Sequence, residues 1–425
     1  MSARARKIDP CNAASAATDD PVDLDTARAI GVALAATTKP AIIAKMPLAA
    51  CLGRVLAQDV VAPRPLPAFN TAAMDGYAIR CSDLSRGAPF RLRVTRTLQA
   101  GGGTDIMPVH VPGSALRIMT GAAVPAYCDA VIPMEVVTER GGLIDIADCP
   151  APFANIRRQG SVAGEGTVLM QAGRCLTARD IALLAATGHG HLAIRRKLRV
   201  AVVSNGAELV EADGEAKGDR IPDSNRPLLL ADLSRPWIAA RDLGIVGDDT
   251  ALLSQILDVA SEDTRIIVTT GGAARGDADC LRPAIERLGG EILVSRIAMK
   301  PGRPTLVARL GSTIVLGLSG NPVAAHIGMQ VLGWPILRAA AGLEQAGAGC
   351  EQGIANFAHT PRPGRSEFPL VRVAGRDAQG RALLDMPARF DAAGLTRLAR
   401  FDGYATIGAG AGAIERGDAV TWTRL

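Results

Sequence analysis

Three loops rich in glycine and carboxylate carry residues suited to chemistry: Ser204-Asn-Gly-Ala-Glu208, Thr269-Thr-Gly-Gly-Ala-Ala-Arg-Gly-Asp-Ala-Asp279 and Gly317-Leu-Ser-Gly-Asn-Pro322. Glycines let backbone N–H groups approach a phosphate, and Glu208, Asp277 and Asp279 supply carboxylates that can hold Mg²⁺ against it. None of the loops is a Walker A or a Gly-x-Gly-x-x-Gly pattern. In Lys300-Pro-Gly-Arg-Pro304, two prolines and a glycine fix a sharp turn carrying two cations. Such a turn is a clamp for a phosphate or another oxyanion, and lysine is rare in this arginine-rich chain. Two further segments, Phe69-Asn-Thr-Ala-Ala-Met-Asp-Gly-Tyr-Ala78 and Arg117-Ile-Met-Thr-Gly121, present Asp75 and Thr120. Taken alone, each of these two reads as a turn.

The elements that must position these residues are legible from texture. Apolar, β-branched runs at 198–203, 265–270 and 313–318 each lead into one of the three glycine-rich loops, and a run at 292–297 leads into the cationic turn. Between them, 225–243, 250–261 and 279–288 carry helical patterns, with Pro236 and Pro283 as irregularities. Strands alternating with helices predict a doubly wound, mostly parallel sheet covered on both faces, with ligands beyond the carboxyl ends of its strands. Ahead of it, residues 23–38 form an amphipathic helix with Leu24, Ala27, Ile30 and Leu34 on one stripe. From 62 to 166, short apolar runs broken by Pro and Gly predict a mainly β region. After 347 the alternating segments 368–373, 381–386 and 419–425 predict a small β domain.

Composition excludes several classes. A chain of 425 residues is too long for one core, and about three domains are expected. With 48% hydrophobic and 21% charged residues it is a globular chain rather than a disordered one. Aromatics at 3% leave few stacking platforms, which argues against a nucleic-acid binder. The formal charge of +5 is spread along the chain and hints at an anionic ligand. Neither a signal peptide nor an apolar run long enough to span a bilayer is visible, so a cytoplasmic protein without membrane contact is expected. The eight cysteines are scattered without a Cys-x-x-Cys pair, which fits dispersed thiols in a reducing compartment. His189-x-His191 is the only close histidine pair and is a weak metal candidate.

Read together, Asn70-Thr-Ala-Ala-Met-Asp-Gly-Tyr-Ala78, Arg117-Ile-Met-Thr-Gly-Ala122, Asp223-Ser-Asn-Arg226, Thr270-Gly-Gly272 with Gly276 and Asp279, Lys300-Pro-Gly-Arg-Pro304 and Gly320-Asn-Pro-Val323 resemble the molybdopterin molybdenumtransferase family. These are the molybdenum insertases that include the gephyrin E-domain. The resemblance runs from about residue 22 to the C-terminus, and as a set the motifs are specific. It implies a tail over 1–22, a helix over 23–42 packing with the α/β domain, a linking domain from 43–61 and 167–194, a mainly β domain over 62–166, a molybdopterin-binding α/β domain over 195–347 and a β domain over 348–425. It also implies a homodimer that converts adenylylated molybdopterin and molybdate into molybdenum cofactor and AMP, assisted by Mg²⁺. A molybdopterin adenylyltransferase and recipient molybdoenzymes are the implied partners. Carried over by position, Asp75, Thr120, Glu208, Asp248 and Asp279 are the catalytic candidates, with Glu208 and Asp279 as metal ligands. Gly271, Gly272, Lys300, Arg303, Ser319, Gly320, Asn321 and Pro322 are the substrate-binding candidates.

The chain departs from the family pattern at several acids. The first α/β loop usually reads Ser-Thr-Gly-Asp-Glu, and here Asn205 and Ala207 replace the threonine and the aspartate. Gly160-Ser161-Val162 stands where Gly-Glu-Asp is usual, Ser319 where a proline is usual, and Ala273-Ala274 where Val-Ser is usual. Losing carboxylates removes charge compensation at a metal–phosphate site. A second reading is therefore a diverged member that binds or delivers the pterin without catalysis, or a scaffold.

Overall fold

Six strands form the sheet at the centre of the chain, in the order Ile238–Val246, Leu198–Asn205, Ile266–Thr270, Thr313–Leu318, Leu306–Leu310 and Glu291–Val294. The computed structural model describes residues 20–37, 43–84, 89–102, 108–215, 217–272, 280–344, 349–387 and 394–425. Most of the expected tail, together with Asp277 and Asp279, lies outside the described residues. The first four strands are mutually parallel and the last two pairings are antiparallel, so Leu306–Leu310 alone runs against the other five and the sheet is mixed. Every residue of Ile266–Thr270 and Thr313–Leu318 is buried, as expected for strands covered on both faces. One face packs against Leu24–Thr37, Asn225–Asp232 and the helices between Pro322 and Ala341. The other packs against Thr250–Asp263 and Leu281–Arg287.

One expected helix is in part a strand. The pattern over 225–243 breaks after Asn225–Asp232, and Ile238–Val246 pairs in parallel with Leu198–Asn205 at the sheet edge. Pro236 cannot continue the helix. The strand buries only its two end residues, Ile238 and Val246, so it lacks the continuous apolar run that marks the central strands. Leu306–Leu310 is a further strand that texture did not separate from its neighbour.

The N-terminal segment joins this body through main chain as well as through the helix. Val22 N–H donates to the Arg296 carbonyl at 3.0 Å, and Ala298 N–H to the Val22 carbonyl at 2.8 Å. This brings Pro21 beside the cationic turn. Ile43–Pro47 pairs with His191–Arg195, and Val60–Val61 with Val168–Met170. A second six-stranded sheet runs in the order Ala130–Pro133, Gly76–Ile79, Ser114–Ile118, Phe90–Leu98, Leu143–Ile146 and Thr138–Arg140. The C-terminal strands, from Cys350–Ala355 to Ala419–Arg424, close into a five-stranded barrel around the fully buried Trp422.

Among the described residues, no helix is long and apolar enough to cross a membrane. No group of three or more His, Cys, Asp or Glu among them is placed to hold a metal ion. His189 is engaged locally, its Nδ1 lying 3.0 Å from the Thr187 hydroxyl.

Candidate active site

Two sites adjoin at the carboxyl end of the sheet. The first is a cleft of about 510 Å³ between the sheet and the C-terminal barrel. The turn Lys300-Pro-Gly-Arg-Pro304 forms one wall, Ser319 and Asn321 another, and Pro363, Gly364 and Arg365 from the barrel a third. Its lining contains Lys300, Arg303 and Arg365 and no carboxylate among the described residues. Asn321 caps the helix Pro322–Gly328, its Oδ1 accepting from Ala324 N–H at 3.1 Å. The turn is held from the barrel side, because Ser366 N–H donates to the Ala298 carbonyl at 2.9 Å and Phe368 N–H to the Lys300 carbonyl at 2.8 Å. Three cations lining one hollow suit, by their charge, a tetrahedral or phosphoryl dianion.

The second site is the floor made by the strand ends. Gly271 and Gly272 take φ of +83° and +64° and lie against Asn205, so close that a Cβ on Gly271 would stand 2.0 Å from the Asn205 carbonyl oxygen. The side-chain amide of Asn205 donates to the carbonyls of Val246 at 3.2 Å and Gly247 at 2.9 Å. Asn205 therefore ties the loop that carries Asp248 to the Gly271–Gly272 loop. Asn225 makes the next tie, its amide donating to Thr270 Oγ1 at 2.6 Å and to the Gly320 carbonyl at 2.7 Å. Thr270 Oγ1 in turn donates to the Ser319 carbonyl at 3.2 Å. The Oδ1 atoms of Asn205 and Asn225 are buried and have no hydrogen-bond partner among the described residues. Asn225 is oriented by the buried Asp223, whose carboxylate accepts from Asn225 N–H at 3.0 Å and from Arg226 Nε at 3.2 Å. Glu208 and Asp248 are exposed at the ends of the two neighbouring strands, and neither carboxylate accepts a hydrogen bond from a described residue.

Asp75 and Thr120 form a third group in the other six-stranded sheet. Asp75 Oδ1 accepts from both the N–H and the hydroxyl of Thr120, each at 2.7 Å. The Thr120 amide and hydroxyl hold the Asp75 carboxyl below the ordinary carboxylate range, with a smaller contribution from the Arg117 charge. Two motifs more than forty residues apart thus converge on one carboxylate. Among the described residues, no hydrogen bond or ion pair joins this pair to the cleft or the floor.

The structure therefore brings Gly271, Gly272, Glu208, Asp248, Ser319 and Gly320 together on the floor. Lys300, Arg303, Ser319 and Asn321 line the cleft, and Pro322 begins the helix behind it. Asp279 lies outside the described residues. Sequence reasoning missed Arg365, for which one signal was available: Pro363-Gly-Arg365 repeats the tripeptide Pro301-Gly-Arg303. Both glycines take positive φ, +79° at Gly364 and +98° at Gly302, so the same turn chemistry delivers an arginine from each side of the cleft.

A family model described as the MoeA N-terminal region, domains I and II, matches residues 22–188, and one described as a probable molybdopterin binding domain matches residues 201–339. The chain is 34% identical over 293 residues to a molybdopterin molybdenumtransferase of Haemophilus influenzae, covering 69% of this chain and 71% of the relative. It is 35% identical over 306 residues to molybdopterin molybdenumtransferase 2 of Mycobacterium tuberculosis, covering 70% of this chain and 75% of the relative. The solved structure of a molybdopterin biosynthesis MoeA protein from Pyrococcus horikoshii superposes with a TM-score of 0.79 at 28% identity, over 95% of this chain and 99% of that one.

Proposed function

We propose, from the premise that this chain belongs to the molybdopterin molybdenumtransferase family, that it inserts molybdate into adenylylated molybdopterin and releases AMP. The observation that carries the proposal is the cleft that gathers Lys300, Arg303 and Arg365, with no carboxylate among its described lining residues, and that shares Ser319 with the floor of glycine-rich strand ends. An oxyanion and a phosphoanhydride must meet in this reaction, and the two adjoining sites supply cations for one and backbone amides for the other.

In this reading Lys300, Arg303 and Arg365 bind the oxyanion, while the Gly271–Gly272 backbone and the Ser319–Asn321 turn hold the nucleotide. Glu208 and Asp248 fit Mg²⁺, because both are exposed carboxylates that accept no hydrogen bond from a described residue. Mg²⁺ takes one or two carboxylates together with phosphate oxygens and water. When bound it would offset the charge of the phosphoanhydride. Asp75, ionised and fixed by Thr120, would orient a proton-bearing group through its second oxygen.

Because no hydrogen bond or ion pair among the described residues joins Asp75 to the floor, the complete site would be shared between two copies in a homodimer. The substrate would come from a molybdopterin adenylyltransferase, and the product would pass to recipient molybdoenzymes.

Purified protein mixed with adenylylated molybdopterin, molybdate and Mg²⁺ tests the reading through AMP release and the molybdenum content of the product. Lys300→Ala should lower the rate at subsaturating molybdate by about tenfold or more. A wild-type protein that binds the pterin nucleotide but releases no AMP at any Mg²⁺ concentration would replace this reading with that of a pterin-delivery protein.

A further inference from the structure

Arg365 reaches the cleft from a different domain than Lys300 and Arg303, and it is not left to find its own position. Nε and Nη2 both donate to Glu367 Oε1, at 2.8 and 2.6 Å. The other oxygen, Oε2, is occupied by His359 Nε2 at 2.8 Å, which keeps the carboxylate from rotating away. Glu367 itself is only 2% exposed. Burial alone would push its carboxyl up, but the bonds from Arg365 and His359 outweigh it and hold the group below its ordinary range, so it stays ionised. With two nitrogens committed, Nη1 of Arg365 is the one that makes no hydrogen bond among the described residues, and Arg365 lines the cleft. The same dipeptide, Ser366–Glu367, pairs in parallel with Met299–Lys300. One carboxylate-bearing strand therefore holds the Arg365 guanidinium through its side chain and the Lys300 turn through its backbone.

We propose that Glu367 is a positioning residue for oxyanion binding: with His359 behind it, it holds the Arg365 guanidinium so that its free edge and Lys300 face one ligand. This rests on the reading of the cleft given above. An arginine anchored beforehand surrenders less rotamer freedom when the ligand arrives, so the anchor acts on affinity for the oxyanion rather than on the step that follows.

The experiment measures the dissociation constant of molybdate alone, by equilibrium dialysis, for wild type, Arg365→Ala, Glu367→Gln and the double variant, together with KM for molybdate and kcat in the AMP-release assay. Arg365→Ala should weaken molybdate binding about tenfold or more. Glu367→Gln should raise KM for molybdate by a comparable factor while kcat at saturation changes far less, and the double variant should bind no worse than Arg365→Ala. If Arg365→Ala binds molybdate as wild type does, the cleft reading itself fails. If Arg365→Ala weakens binding but Glu367→Gln does not, or if the two losses multiply in the double variant, the cleft reading stands and Glu367 is no more than a structural acid. Should Glu367→Gln not fold, Glu367→Asp decides: it keeps the charge but withdraws it from Arg365, so weakened binding supports the proposal and wild-type binding overturns it.

Discussion

Replacing Arg226 by glutamine separates a buried ion pair from two exposed ones within a single side chain. The guanidinium bonds Asp223, Asp242 and Glu211. The side-chain exposures are 6% for Arg226 and 2% for Asp223, against 44% for Asp242 and 55% for Glu211. Asp242 and Glu211 can turn to water, and losing each pair should cost less than about 1 kcal/mol. Asp223 cannot turn away. It would keep the N–H bonds of Asn225 and Arg226 but lose its countercharge, and an uncompensated buried charge costs about 3–5 kcal/mol. The loss in stability of Arg226→Gln should therefore be about 3–5 kcal/mol, nearly all of it traceable to Asp223.

Urea unfolding of the central sheet domain measures this if the tryptophan signal is made specific. Trp237 and Trp334 pack edge to face in that domain's core, and Trp422 sits in the barrel. In a Trp422→Phe background, emission reports on the central domain alone. Adding Asp223→Asn to Arg226→Gln removes the stranded charge and should return about 2 kcal/mol or more. A loss below about 1 kcal/mol in the single variant, or no recovery in the double, would refute the assignment of the cost to Asp223.

Mixing Asp75→Asn with Glu208→Gln protein should restore AMP release that neither variant shows alone, through hybrid sites in a mixed dimer. Full activity of a protein that sediments as a monomer would refute it. Ala207 and Val162 are both exposed, and if they stand where the family resemblance implies acids, Ala207→Asp with Val162→Asp should lower the Mg²⁺ concentration for half-maximal rate. A wild type already saturated at low Mg²⁺ would show those acids were never ligands. Burial pushes the His326 imidazole below its ordinary value against a weaker opposing pull from Asp232. The unfolded chain then binds a proton that the native state refuses, so stability should fall as pH drops below about 6.5. His326→Gln should flatten that slope between about pH 7 and pH 5, and an unchanged slope assigns it elsewhere.

What the sequence revealed follows from where burial leaves a local mark. Strands such as Ile266–Thr270, covered on both faces, must be apolar throughout and so announce themselves. The glycine-rich loops after them were legible for the same reason, since each interrupts such a run. The edge strand Ile238–Val246 was not, because its exposed middle, Ala239-Ala-Arg-Asp242, is composed mostly of helix formers and becomes a strand only by pairing with Leu198–Asn205. Arg365 and Glu367 were missed because their place at the cleft depends on barrel docking, a contact between remote segments. The Asp75–Thr120 pair joins two motifs that each read as a turn in isolation, and only the resemblance brought them together.

The parallel bridge between Met299–Lys300 and Ser366–Glu367 also bears on the order in which the molecule assembles. Its two sides lie far apart in the chain, so neither bond to the Lys300 turn can form until a long loop has closed around the intervening helices. The sheet and the barrel can each acquire their own cores first, and the cleft should be among the last features to mature. In the native state, the Ser366 and Phe368 amides, bonded to the Ala298 and Lys300 carbonyls, should then exchange with solvent through a parting of barrel from sheet, well before either unfolds. A chain cut short of Cys350 would keep its central sheet yet present the cationic turn with one wall missing, which makes the barrel inseparable from ligand capture even though it contributes few of the residues that line the site.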